Sequence, residues 1–268
     1  MRRILPAFLL ASLAFAQPPG VVIDYEPAST RRYIGSPSIE ILPNGSYVAS
    51  HDFFGPASNQ DKSSTTRTFR SDDRGLTWRR TAEFPDQFWS NLFFHRGALY
   101  LLGTTYEYGR IVIRKSTDGG LTWSQPTYLT QDTGYHTAPV TILPHKGKLW
   151  RSFEFHPTGK WGNFEAFALY AKEKSNLMDP QSWTLLPRLK FPKGQTEGDH
   201  WLEGNLVVDK KGRLLNMLRV DNLERAAITV INQKNNELQV EKTLPYPGGA
   251  KKFQIRWDKK SKLCGALS

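Results

Sequence analysis

The sequence of 268 residues contains a single cysteine, Cys264. One thiol cannot form an internal disulfide, so the stability of the chain has to come from the burial of its core. A chain of this length can bury a substantial core, and aromatic residues make up 12% of it, including eight tryptophans. The composition therefore predicts a packed protein rather than a disordered one.

Long apolar runs are missing after the first 16 residues, which predicts that no later segment spans a membrane. Arg2 and Arg3 follow Met1, and the apolar stretch from Ile4 to Ala16 comes next. That stretch ends with the small-x-small tripeptide Ala14-Phe15-Ala16. This arrangement is typical of a secretory signal peptide. We therefore predict a signal peptide over residues 1–16, cleavage before Gln17, and a secreted or periplasmic mature protein.

The chain also lacks nucleic-acid-binding motifs, although its formal net charge is +11. Five lysines and one arginine against one aspartate between Lys251 and Lys262 supply much of this excess. A basic surface would suit an acidic oligo- or polysaccharide, and the alternative is a role in solubility alone. The histidines have no spacing diagnostic of a metal site. We therefore expect neither a metal nor a cofactor.

Two segments, Ser71–Trp78 and Ser116–Trp123, share the pattern Ser-x-Asp-x-Gly-Leu-Thr-Trp and lie 45 residues apart. In each one the aspartate can accept backbone N–H groups across a tight turn, the glycine allows a positive φ, and the tryptophan can pack into a sheet. A period of this length is typical of a propeller or another repeat array. We predict structural roles for Ser71, Asp73, Gly75, Trp78, Ser116, Asp118, Gly120 and Trp123.

A second repeat consists of two apolar strands joined by a turn that contains a glycine. Its glycines are Gly45, Gly97, Gly147 and Gly212. Each copy predicts a hairpin formed by the first two strands of a four-stranded antiparallel unit. The pattern gives four units, and a fifth begins near Lys252 to Trp257. No amphipathic helix is predicted.

The two Asp-containing turns resemble the Asp boxes of the sialidase-like, or BNR-repeat, β-propellers. This resemblance implies an all-β propeller over residues 33–268, preceded by an N-terminal lead-in over residues 17–32. It also implies six or seven blades, so we expect an incomplete propeller of four blades and the start of a fifth, truncated from a longer parent.

Sialidases of this family hold their substrate with an arginine triad, and the first arginine opens blade one. This sequence has Gly35 at the corresponding place, which argues against ordinary cleavage of sialic acid. Glu203 resembles the family glutamate that polarises a tyrosine nucleophile, and Arg219 resembles the second triad arginine. The third arginine and the tyrosine are absent or would follow Ser268.

The segment from Tyr33 to Gly55 resembles a second branch of propeller enzymes, the polysaccharide lyases and rhamnosidases that use histidines in place of carboxylates. This resemblance makes His51 a candidate general base. Histidine titrates near neutrality and can take a proton from a carbon acid or from water.

Propellers place function at one mouth of the central channel, where inner strands start and second strands end. Structural alternatives exist for the residues there, namely a turn-bound histidine, packing between blades, or a plain ion pair. The predicted catalytic residues are His51, His136, Glu203 and Arg219. The predicted substrate-binding residues are Asp52, Tyr135, Glu154, His200 and Trp201.

These observations favour a carbohydrate-active enzyme of the glycosidase type that acts on an acidic glycan. A lyase of uronate polysaccharides is the first alternative. A non-catalytic glycan-binding propeller, or an inactive fragment, is the second.

Overall fold

The structure is a computed structural model that describes residues 20–159, 161–194, 197–258 and 260–267. The predicted signal peptide, residues 1–16, lies outside the described residues. Within those ranges the chain forms antiparallel sheets and two short 3-10 turns, Ala28–Thr30 and Pro180–Ser182, and no α-helix. The same ranges include no helix long and apolar enough to cross a membrane.

Four sheets, here called blades 1 to 4, follow one another along the chain. Blade 1 has the strands β1 (Tyr33–Ile41), β2 (Tyr47–Phe54), β3 (Thr65–Ser71) and β4 (Arg79–Pro85). Blade 2 has β5 (Phe88–His95), β6 (Ala98–Thr104), β7 (Ile111–Ser116) and β8 (Thr127–Tyr128). Blade 3 has β9 (Tyr135–His136), β10 (Leu143–His145), β11 (Lys148–Phe155), β12 (Glu165–Lys172) and β13 (Trp183–Leu185). Blade 4 has β14 (Trp201–Val208), β15 (Leu214–Val220), β16 (Arg225–Asn232) and β17 (Glu237–Pro245).

A fifth sheet is a hairpin of β18 (Gln254–Asp258) and β19 (Leu263–Leu267). The prediction of four four-stranded units followed by the start of a fifth is thus confirmed, with one difference. The inner strand of blade 3 is split, because β9 and β10 both pair with β11. Pro139 and Pro144 lie in or beside the interrupted stretch, and proline cannot donate to a strand ladder. The expectation of a longer parent stays a prediction.

The inner strands of all five sheets line one central channel of about 580 Å³, which runs past Glu40, Phe93, Ile142, Val207 and Arg256. Neighbouring sheets pack face to face along this channel, so a strand inside a blade is covered on both sides. Strand β6 is buried at all seven positions, for example. Burial on both faces explains why its sequence is a continuous apolar run rather than an alternating one.

The two repeated turns join the third and fourth strands of blades 1 and 2, and they have the same internal bonds. In the second turn, the Asp118 carboxylate accepts the backbone N–H groups of Leu121 and Thr122 at 3.1 and 2.9 Å. It also accepts the Thr122 hydroxyl at 2.6 Å and the Ser116 hydroxyl at 2.8 Å. Gly120 has a φ of 87°, as the turn requires. In the first turn Ser71, Asp73 and Thr77 make the equivalent bonds.

Asp118→Ala is expected to destabilise the chain by about 1–3 kcal/mol, because it leaves several donors of the turn without an acceptor. Partial burial raises the pKa of Asp118, but the hydrogen bonds from Thr122 and Ser116 outweigh it and lower the pKa to about 2. The stabilisation should therefore be complete above pH 3.8 and fade as the pH falls through about 2. Urea denaturation at several pH values measures this. Thr122→Ser, which keeps the hydroxyl, should stay close to the parent protein.

Candidate active site

The inner strands of blades 1, 2 and 4 each have a β-bulge near their start. At each bulge one non-glycine residue has a positive φ; these residues are Ser36 (50°), Trp89 (48°) and Glu203 (56°). Such a conformation costs on the order of 1–3 kcal/mol, and it occurs preferentially where a site needs a side chain aimed in one direction. Three bulges at the same place in three blades single out one end of the channel, here called the mouth.

The strand register brings Asp52, His136, Glu154 and Arg219 to this mouth. Each start of an inner strand lies opposite the end of a second strand, and the opposed pairs are Gly35–Asp52, Phe88–Thr104, His136–Glu154 and Leu202–Arg219. The clustering of inner-strand starts and second-strand ends, which was predicted from the hairpin glycines, therefore follows from the pairing.

Glu203 is the centre of an ion cluster at the mouth. Its carboxylate accepts Arg219 Nε at 2.6 Å on one oxygen, and Lys252 Nζ lies 3.3 Å from the other. Arg219 also donates to Asp221 at 2.7 Å and to the Ala250 carbonyl at 3.1 Å. Only 4% of Glu203 is exposed. Charge-assisted bonds of this kind are strong and fix the direction of the carboxylate.

Asp221 connects this cluster to two aromatic side chains, Trp161 and His200. The indole Nε1 of Trp161 donates to it at 3.2 Å. His200 Nε2 lies 3.2 Å from the same carboxylate, although without hydrogen-bond geometry. Burial lowers the pKa of His200, and nearby Arg219 lowers it further while Asp221 opposes them. The imidazole is therefore neutral near pH 7, and its role in binding substrate stays a prediction.

Glu154 connects blade 3 to the Glu203 bulge. One of its oxygens lies 3.0 Å from His136 Nδ1, and the other accepts the backbone N–H of Gly204 at 3.0 Å. Both side chains are almost completely buried. The His136 ring packs edge-on against Trp89, with 4.3 Å between the ring centroids. Glu154, held by His136, thus fixes the backbone next to Glu203 through the Gly204 N–H.

Asp52 is buried on the other side of the mouth, with 1% of its surface exposed. One oxygen accepts the bulge N–H of Trp89 at 2.7 Å, and the other lies 2.5 Å from the Thr66 hydroxyl. That hydroxyl also lies 2.8 Å from the Gln87 carbonyl. The Thr66 hydroxyl has one proton to share between these two acceptors, whereas a protonated Asp52 could donate to Thr66 and leave the Thr66 proton to Gln87. In agreement with this geometry, burial raises the pKa of Asp52 to about 8.

His51 faces the opposite side of β2, because neighbouring residues of a strand alternate between its faces. Its Nε2 lies 2.7 Å from Asp24 in the lead-in, and its ring stacks on Phe69 at 5.4 Å between centroids. The predicted convergence of His51 with Glu203 and Arg219 is not supported by any contact among the described residues. Its role as a base stays a prediction.

Two predicted substrate-binding residues belong to the core instead of the mouth. Trp201 is fully buried, packs on Phe191 and donates to the Phe164 carbonyl at 3.1 Å. Tyr135 is 2% exposed, and its hydroxyl donates to Asp132 at 2.9 Å. Neither ring offers a free face for stacking on a sugar.

Lys252 and Trp161 also lie at the mouth, and neither was predicted from the sequence as a site residue. Lys252 lies two residues before β18, at the start of the fifth unit, and Glu203 is the third residue of β14, at the start of the fourth inner strand. That positional match could have identified it. Trp161 lies in a loop without a repeat pattern, so the sequence has no comparable signal. Within the described ranges, no group of three or more His, Cys, Asp or Glu side chains is placed to bind a metal ion.

No protein-family model and no curated protein matches the chain. Solved structures do. An α-L-arabinanase of Penicillium chrysogenum, complexed with arabinobiose, is 15% identical over 88% of this chain and 75% of its own, with a TM-score of 0.55. A Hadza microbial sialidase is 12% identical over 83% of this chain and 50% of its own, with a TM-score of 0.56. A Dyadobacter fermentans protein of unknown function is 14% identical over 89% of this chain and 75% of its own, with a TM-score of 0.61. The chain has the sialidase-like β-propeller fold.

Proposed function

We propose that this chain is an exported glycoside hydrolase whose reaction centre is the Glu203 carboxylate. The observation that carries the proposal is the Glu203 side chain, held between Arg219 and Lys252 in a strained bulge at the channel mouth. Enzymes that cleave glycosidic bonds need a fixed carboxylate beside the anomeric carbon, where positive charge develops. The arabinanase and the sialidase with the same fold support this class of reaction.

The leaving oxygen also needs a proton donor, and we assign that role to Asp61. Its side chain is exposed and lines a cavity beside Trp161, and the Trp161 ring lies 5.9 Å from Arg219 Cζ, whose guanidinium donates to Glu203. The loop that carries it is fixed by the neighbouring Gln60, which donates to Glu107 at 2.9 Å and accepts the Gly55 N–H at 2.9 Å. Asp61 and Glu203 then act as the two carboxyl groups that flank the bond to be cleaved.

The sequence analysis predicted an acidic glycan, and the charges at the mouth do not favour one. Arg219 and Lys252 are matched by Glu203 and Asp221, so the cluster has no excess positive charge for a carboxylated sugar. A lyase reaction would need a base such as His51, which faces a different pocket.

The function is tested by incubating the purified protein with 4-nitrophenyl glycosides and with neutral and acidic oligosaccharides. Release of 4-nitrophenol or of new reducing ends is the expected result. Absorbance of an unsaturated uronate would instead show elimination. Binding without any product would return the chain to the glycan-binding alternative.

Asp61→Asn is expected to lower turnover of an oligosaccharide by about 10²-fold, because a sugar leaves only after protonation. Turnover of a 4-nitrophenyl glycoside should fall much less, since nitrophenolate leaves without a proton. The ratio of the two kcat/KM values measures the effect. Asp199→Asn, at another exposed aspartate of the same face, is the control. If kcat/KM falls by the same factor on both substrates, Asp61 is not the proton donor.

A further inference from the structure

A cavity of about 580 Å³ opens at the mouth between the loops of blades 1, 2 and 3. Its volume lies within the range of small-molecule sites. The side chains that define it are Asp61, Tyr106, Glu107, Tyr108, His156 and Trp161.

Backbone hydrogen bonds between the loops give this cavity its shape without a ligand. The Glu107 N–H donates to the Gln60 carbonyl at 2.8 Å, which ties blade 2 to blade 1. The Gly134 N–H donates to the Tyr108 carbonyl at 2.6 Å, which ties blade 3 to blade 2. The His156 N–H donates to the Gly134 carbonyl at 2.7 Å. A site fixed in this way loses little freedom when a ligand binds.

Trp161 supplies an open aromatic surface on one wall. It is 52% exposed, yet its indole N–H is held by Asp221 at 3.2 Å. Its loop neighbour Phe164 packs against it edge-on at 5.5 Å between centroids. A rigid ring with an apolar face and an anchored polar edge suits the apolar face of a sugar ring. Tyr106 and Tyr108 line the same cavity and can add a second surface.

Trp161 also connects the cavity with the Glu203 centre. The Cζ atom of Arg219 lies 5.9 Å from the centroid of the Trp161 ring, and the Asp221 that holds the indole pairs with Arg219 at 2.7 Å. When one sugar of an oligosaccharide is bound beside Glu203, the next sugar would therefore lie over Trp161, inside the cavity.

The charges of the lining select between kinds of sugar. Two carboxyl groups, Asp61 and Glu107, line the cavity, and none of the described lining residues is a lysine or arginine. A uronate or sialate unit would bring its own carboxylate beside Glu107, and like charges side by side disfavour binding. A neutral sugar meets no such repulsion.

We propose that this cavity is a binding subsite for a neutral sugar unit on the leaving-group side of the cleaved bond. The proposal deepens the proposed function and rests on it for the direction of the chain. It makes the preferred substrate a neutral oligosaccharide, with one sugar at Glu203 and the next against Trp161 and Tyr106.

The test measures binding by calorimetry in the Glu203→Gln background, where hydrolysis does not interfere. The probes are neutral trisaccharides of arabinose, xylose, glucose and galactose, and trigalacturonate. Tyr106→Ala and Trp161→Ala are each expected to weaken the best neutral trisaccharide by about tenfold, as the loss of one aromatic contact does. Trp257→Ala is the matched control, because that tryptophan is 57% exposed and lies on the fifth sheet. Trigalacturonate should bind at least about tenfold more weakly than the best neutral sugar.

Kinetics with otherwise unsubstituted protein separate the subsite from the reaction. Tyr106→Ala should lower kcat/KM for the best trisaccharide by about tenfold and leave the matching glycosyl fluoride, which has no second sugar, unchanged. The proposal is overturned if no neutral trisaccharide binds, if both aromatic variants bind like the parent, or if trigalacturonate binds equally well. If nothing is hydrolysed but both variants still lose binding, the subsite stands and the proposed function fails.

Discussion

Glu203→Gln is expected to reduce glycoside turnover by on the order of 10³-fold, while the protein stays folded. Glutamine has nearly the same shape and can keep one bond to Arg219, but it has no charge to stabilise the anomeric carbon. The loss should appear in kcat and not in KM, because the missing interaction belongs to the transition state. Steady-state kinetics on the best substrate of the panel measure it.

Glu237→Gln is the matched control, since Glu237 is exposed at the start of β17. Its turnover should equal that of the parent. Thermal melting should show a folded Glu203→Gln protein, which excludes collapse of the ion cluster as the cause. Turnover within about threefold of the parent would end the assignment of Glu203 as the reaction centre.

Asp52→Asn is expected to change how stability depends on pH. Below pH 3.8 Asp52 is protonated in both the folded and the unfolded chain. Between pH 3.8 and about 8 the folded state keeps a proton that the unfolded state has lost. Stability therefore falls as the pH rises through this window, by on the order of 1.4 kcal/mol per pH unit. From pH 5 to pH 7 this amounts to about 3 kcal/mol, and the asparagine variant should not show it.

Asparagine also tests whether Asp52 is a positioning residue. Its carbonyl can accept the Trp89 N–H and its amide can donate to Thr66, as a protonated carboxyl would. We therefore expect Asp52→Asn to retain turnover within about threefold at neutral pH, and Asp52→Ala to lose it as the Trp89 bulge relaxes. Urea denaturation from pH 4.5 to 7.5 and kinetics of both variants supply the data. Parallel pH curves for the Asp52→Asn variant and the parent protein would mean that the buried carboxyl is ionised.

The blades and the Glu203–Arg219 pair of the site could be predicted from the sequence because they depend on pairing between neighbouring strands. Turn glycines fix the hairpins, and the hairpin through Gly212 places Leu202 opposite Arg219. The Glu203–Arg219 pair follows from that register and the bulge. Contacts of this kind lie within one sheet, so spacing along the chain is sufficient to find them.

The other contacts of the site depend on the face to which each residue at a strand end points and on interactions between different sheets. His51 and Asp52 were both assigned to the mouth, yet strand alternation sends them to opposite faces, and the lead-in residue Asp24 engages His51. Asp52 was expected to bind substrate and instead bonds to Trp89 of the next blade. Trp161 reaches the site through a loop. No spacing rule covers these contacts, because they join segments far apart in sequence.

The meander order of the blades also has a consequence for folding. Apart from the split inner strand of blade 3, each strand pairs with the strand that precedes or follows it in the sequence. Contacts of short sequence separation form quickly, because they close only short loops. Each blade can therefore form as a unit, and long-range bonds such as Glu154 to Gly204 can only follow once two blades exist. The order of the sheets along the chain is then also the order in which they can fold during synthesis.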